Sequence, residues 1–80
     1  MARYRFHCTN GTECVFDARG VVVRRPDALG DRARRVADGV MRNLGRRADW
    51  AEWRVTVHDL TGRRVLLQPF PAPGGTARAA

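Results

Sequence analysis

From Arg3 to Asp17 the chain alternates between apolar and polar residues, with Tyr4, Phe6 and Cys8 on one side of an Asn10-Gly11 break and Cys14 and Phe16 on the other. A period of two marks half-buried strands, and Asn-Gly between two such runs marks a hairpin. A two-residue loop at Asn10-Gly11 pairs Phe6 with Val15 but Arg5 with Phe16, which mixes the faces. A three-residue loop, Thr9-Asn10-Gly11 with Gly11 left-handed, instead pairs Tyr4 with Phe16, Phe6 with Cys14 and Cys8 with Thr12. One face is then apolar. The other sets Arg3 against Asp17, Arg5 against Val15 and His7 against Glu13, so opposite charges meet across the strands. This second register is the expected one.

After an Asp17-Ala18-Arg19-Gly20 turn, the run Val21 to Val23 either extends the second strand or forms an edge strand. Pro26 and Asp27 announce a helix, with Asp27 as its expected cap. Leu29, Ala33, Val36, Ala37, Val40, Met41 and Leu44 follow at steps of three and four, a single apolar stripe. The polar face carries Arg32, Arg34, Arg35, Asp38 and Arg42, with Asp31 to Arg35 and Asp38 to Arg42 at the supportive spacing of four. Gly30 and Gly39 weaken the helix, so packing must hold it. Gly45 is a natural stop.

Asp49-Trp50-Ala51-Glu52 has the form of a capping box for one further helical turn. Trp53 to Asp59 alternates again, and a loop at Leu60-Thr61-Gly62 pairs Val57 with Val65, Val55 with Leu67 and Trp53 with Pro69. Phe6-His7 before Gly11 matches Val57-His58 before Gly62 at a constant offset, and both histidines are expected to point off the core. The expected fold is α+β, a ββαββ domain over residues 1–70 in which two hairpins form an antiparallel sheet packed on one helix. Residues 71–80, rich in Pro, Gly and Ala without periodicity, are expected to form a disordered tail. The expected core is Tyr4, Phe6, Cys8, Cys14, Phe16, Leu29, Val36, Val40, Leu44, Trp53, Val55, Val57, Val65 and Leu67.

Composition changes this picture mainly through charge. The 80 residues carry fifteen cations against eight acids, a formal net charge of +7, and every cation is arginine. Such a balance favours anionic partners, nucleic acid first. The absence of lysine, serine and isoleucine points to a G/C-rich genome, so part of the charge reflects codon usage. No apolar run is long enough to span a membrane, and no apolar segment follows the basic start as in a secretory signal. A cytoplasmic location is expected, with Cys8 and Cys14 as reduced thiols packed in the core.

With these residues in hand, the chain resembles a family of short bacterial proteins known only as a domain of unknown function. The matching residues are Arg3-Tyr4-x-Phe6-His7, Asn10-Gly11, Asp17-x-x-Gly20, Pro26-Asp27-x-Leu29, and Trp53 through Asp59-x-x-Gly62-Arg63-x-Val65-Leu66-x-x-Pro69-Phe70. The resemblance implies a shared fold and brings no activity with it. This chain departs from the family in its higher charge and its helical glycines. A weaker resemblance, in Pro26-Asp27-x-Leu29 before an amphipathic helix, is to small antitoxins that sequester mRNA-cleaving toxins. A +7 protein would be repelled by such basic partners.

Candidate chemistry is sparse. His7, Cys8, Cys14 and His58 are zinc-ligand types, but they lack a Cys-x-x-Cys knuckle, and in the expected register thiols and imidazoles lie on opposite faces. No serine is present, and His7 and Cys8, as strand neighbours, point apart. Neither a catalytic site nor a metal or cofactor is expected. The sheet face away from the helix gathers Arg3, Arg5, His7, Arg54, His58 and Arg64, candidate contacts for phosphates or nucleic acid. With Tyr4, Phe6, Phe16 and Trp53 all assigned to the core side, stacking of bases on that face is not expected. Arg32, Arg34, Arg35, Arg42, Arg46 and Arg47 are a second set able to follow a phosphate backbone. Trp50, if exposed beside Trp53, is a candidate partner contact. The leading expectation is a non-enzymatic protein-interaction module, possible as a homodimer, with weak sequence-independent nucleic-acid binding as the alternative.

Overall fold

A computed structural model describes residues 2–45 and 50–71. The strands are β1 (Ala2–Thr9), β2 (Cys14–Val15), β3 (Val21–Val23), β4 (Arg54–Asp59) and β5 (Arg64–Pro69), and the helix α1 is Leu29–Leu44. A 3-10 turn, Pro26–Ala28, leads into α1, and another, Trp50–Glu52, leads into β4. All pairings are antiparallel, in the order β2-β1-β4-β5, with β3 also pairing β1. The fold is therefore the expected α+β sheet and helix, with Val21 to Val23 resolved as a continuation of the second strand along the same edge of β1.

Helix α1 covers one face of the sheet. Its buried residues Leu29, Ala33, Ala37 and Val40 meet Phe6, Cys8, Val23, Val55 and Val57, while Val36 and Met41 pack at the margin. Leu44, expected in the core, is instead exposed at the last turn, where the helix closes with the Gly45 N–H on the Met41 carbonyl. Asp27 does not cap the helix; its carboxylate pairs with Arg25 at 2.9 Å in solvent. That is the one ion pair among the described residues, so the Asp31–Arg35 and Asp38–Arg42 spacings do not become ion pairs.

The registers differ from expectation at both hairpins. In the first, Cys8 lies opposite Val15 and Thr9 opposite Cys14, so the loop is the four residues Asn10 to Glu13. Side chains close it. Asn10 Oδ1 accepts from the backbone N–H of Thr12 and of Glu13, and Thr9 Oγ1 donates to the Glu13 carbonyl at 2.6 Å. The pairs Tyr4–Phe16, Phe6–Cys14, Cys8–Thr12, Arg3–Asp17, Arg5–Val15 and His7–Glu13 are therefore not formed. Because side chains alternate, the odd shift sends Cys14 and Phe16 away from the core. Both are exposed, Phe16 by 64%.

Between β2 and β3 the chain bulges over residues 16–20, and Asp17 fills the gap. Its carboxylate accepts from the N–H groups of Phe6, Arg19 and Gly20 at 2.9 to 3.2 Å, which satisfies backbone donors that a regular ladder would pair. Gly20 is required there: its φ is 81°, and a Cβ would come within 2.9 Å of the Tyr4 carbonyl oxygen.

The second hairpin turns at Leu60-Thr61-Gly62 as expected, with His58 opposite Arg64. A bulge then places Val57 opposite Leu66, which leaves Val65 as the extra residue and shifts the rest of β5 by one. Val57–Val65, Val55–Leu67 and Trp53–Pro69 are replaced by Val57–Leu66, Val55–Gln68 and Arg54–Pro69. Val65 and Leu67 consequently face outward, while Leu66 packs on the core and Phe70 is buried.

Candidate binding face of the sheet

The sheet face opposite α1 is built from alternate residues of β1 and β4. Arg5 lies opposite His58, His7 opposite Thr56 and Thr9 opposite Arg54, all on the side away from the buried Phe6, Cys8, Val55 and Val57. Arg3 continues the face on β1, opposite Val22. Arg64 joins it on β5, opposite His58. All six basic residues expected on this surface, Arg3, Arg5, His7, Arg54, His58 and Arg64, thus lie on one face, and each is exposed or half-buried. Exposed apolar side chains lie among them. Phe16, Val22 and Leu67 are 64%, 45% and 43% accessible.

At the centre, His7 stacks on Phe16 with ring centroids 4.3 Å apart and planes 13° from parallel. The His58 ring lies 5.3 Å from that of His7. His7 Nδ1 accepts the Asp17 backbone N–H at 3.0 Å, which fixes the neutral imidazole with its proton on Nε2. His58 Nδ1 lies 3.3 Å from the Gly62 carbonyl oxygen. Beside them, Arg5 Nε is shielded from solvent yet has no hydrogen-bond partner among the described residues. A buried donor of this kind is unusual and costly unless something accepts from it.

The electrostatics of the pair His7 and Asp17 follow from these contacts. Burial, then the His58 and Arg5 charges, depress the His7 pKa, against a smaller opposing pull from Asp17. For Asp17, burial would raise the pKa, but the N–H donors of Gly20, Phe6 and Arg19, with His7 nearby, hold it below its ordinary value. Both groups therefore bind protons more tightly in the unfolded chain, so stability falls as the pH is lowered. The His7 contribution is complete above its ordinary value of 6.5 and is lost as pH drops through the lower folded value. The Asp17 contribution follows the same course below its ordinary 3.8. Thermal melts at pH 7.5, 6.0 and 5.0 are expected to show a falling Tm, with a flatter profile in His7→Gln. An unchanged Tm across that range would contradict the half-buried, neutral His7.

The remaining sequence candidates lie elsewhere. Trp50 is 5% exposed, stacks on Phe70 with centroids 5.7 Å apart, and meets Trp53 at 5.4 Å, so it is a core residue and not an exposed anchor. Periodicity missed it because it sits in a 3-10 turn outside any strand or long helix. Arg46, Arg47, Asp49 and the expected tail beyond residue 71 lie outside the described residues. Cys8 is buried, and burial, with Cys14 second, pushes its thiol pKa up to about 12, so it is a neutral thiol near pH 7. Cys14, expected in the core, is exposed on β2. Among the described residues, no three His, Cys, Asp or Glu side chains gather as a metal site. No described helix is long and apolar enough to cross a membrane.

The sequence from residue 3 to residue 71 matches the family described as Domain of unknown function (DUF6894). The chain belongs to that family. Nearly all of the described fold, β1 through β5, falls inside the match. No curated protein and no solved structure matches the chain. For a member of DUF6894 the sheet face itself, not an assigned activity, is therefore the guide to function.

Proposed function

We propose that this DUF6894 domain is a non-enzymatic binding module that holds single-stranded nucleic acid on its open sheet face. The observation that carries the reading is Phe16, exposed and stacked on His7 on the face that also carries Arg3, Arg5, Arg54 and Arg64. Single-strand binders combine aromatic platforms, on which bases stack without regard to sequence, with cations that follow the phosphates. Phe16 supplies the first and the four arginines the second. Of the four aromatics expected on the core side, Phe6 and Trp53 are buried and Tyr4 is half-buried, while Phe16 turns outward and offers one ring for stacking.

The same face argues against self-association through it, because two copies would bring like charges together. A protein partner would have to be acidic, or would have to use the apolar margin of Phe16, Val22 and Leu67. Salt separates these readings. Fluorescence anisotropy of labelled single-stranded RNA and DNA should give an affinity that falls about fifty-fold between about 50 and 200 mM salt if four arginines each meet one phosphate. Absence of binding at both salts would leave the protein-interaction reading and make the charge a matter of composition.

A further inference from the structure

Away from the sheet face, between edge strand β3 and the start of α1, lies a cleft of about 190 Å³ lined by Val22, Val23, Arg24, Ala28, Arg32 and Arg35. Three arginines from two elements therefore border one small space, and no carboxylate lines it. The nearest acids in sequence do not neutralise them. Asp27 is held by Arg25 at 2.9 Å, and Asp31, one turn before Arg35, makes no ion pair with it. Like charges gathered around an apolar floor repel each other, and the arrangement is relieved when an anion sits among them. The valine and alanine walls lower the local dielectric and strengthen that attraction. The cleft is smaller than the roughly 300 Å³ at which small-molecule pockets usually begin, so it suits one charged end group and not an entire cofactor. Arginine's planar fork is matched to tetrahedral oxyanions.

We propose that this cleft binds a phosphomonoester group through Arg24, Arg32 and Arg35. The group comes either from a small phosphorylated metabolite or from the 5′-phosphate end of a nucleic-acid strand. The site shares only Val22 with the margin of the sheet face, and none of its arginines lies there. Amide NMR spectra recorded during titration with inorganic phosphate at constant ionic strength provide the test. Saturable shifts are expected at Val22, Val23, Arg24 and Ala28, and Arg24→Gln with Arg35→Gln, both exposed positions, should weaken binding at least tenfold with the circular dichroism spectrum unchanged. Adenosine monophosphate and a pair of oligonucleotides differing only in a 5′-phosphate or a 5′-hydroxyl then separate the sources. Preference for the phosphorylated oligonucleotide identifies a strand end, and binding of the mononucleotide alone identifies a metabolite. Shifts that do not saturate, that spread evenly over all arginine surfaces, or that survive the double substitution would overturn the proposal. Failure here leaves resonances of His7 and Phe16 free to report on the sheet face separately.

Discussion

Trp50→Ala is expected to remove a large share of the stability of this domain. Replacing a fully packed tryptophan by alanine costs about 3–5 kcal/mol through lost burial and the cavity left behind. A chain of this length has about 4–12 kcal/mol in all. Trp50 is 5% exposed and completes an aromatic cluster with Trp53 and Phe70, in which the Trp53 N–H donates to the Trp50 carbonyl and the Phe70 N–H to the Trp53 carbonyl. The cluster thus ties the end of β5 to the turn before β4. Urea denaturation followed by circular dichroism should show a midpoint lowered by about a quarter or more. A midpoint within error of the parent would mean that Trp50 is not packed and would restore it as a surface contact.

The second large effect concerns binding. Arg5→Glu with Arg54→Glu reverses two charges on the sheet face, and should abolish single-strand binding that depends on it while leaving the melting temperature nearly unchanged. Among the described residues neither Arg5 nor Arg54 makes an ion pair, and Arg54 donates only to the Glu52 carbonyl, so little native structure depends on their charge. Phe16→Ala probes the other half of the site. Loss of one stacked base is worth about 1–3 kcal/mol, which is about five-fold to more than a hundred-fold in affinity. The two variants leave different signatures. Removing phosphate contacts lowers the salt slope by about 0.7 for each contact on a single strand, whereas removing a stacking ring lowers affinity at every salt alike. Unchanged affinity in the charge-reversed protein would exclude the sheet face, and unchanged affinity in Phe16→Ala would exclude stacking on it.

The two histidines illustrate how much of the site was legible. Alternation alone put His7 and His58 off the core, and the pairing of β1 with β4 brings their rings to 5.3 Å. Arg5 and Arg54 were legible for the same reason, because they alternate with residues that are unmistakably core, Phe6 and Val55. Phe16 was not. Its hydrophobicity argued for burial, and only the side-chain bonds of Thr9 and Asn10, which lengthen the loop to four residues, turn it outward. Val65 and Leu67 were misassigned by another odd shift, of one residue at a bulge in β5 where the first hairpin shifts by three.

The sequence by itself determined the class and order of the elements, the apolar stripe of α1 from Leu29 to Met41, the turns at Gly11 and Gly62, and the basic character of one sheet face. These are local matters, set by side-chain period and turn chemistry within a few residues. Only the tertiary structure decided the order of the strands, the continuation of β2 into β3, the burial of Trp50 and the outward turn of Cys14, Phe16, Val65 and Leu67. In a strand a shift of one residue exchanges the two faces, and the shift depends on loop side chains, on the Asp17 carboxylate filling a bulge, and on the partner strand. The aromatic platform is therefore a product of register, and hydrophobic pattern alone assigns its central ring to the wrong side.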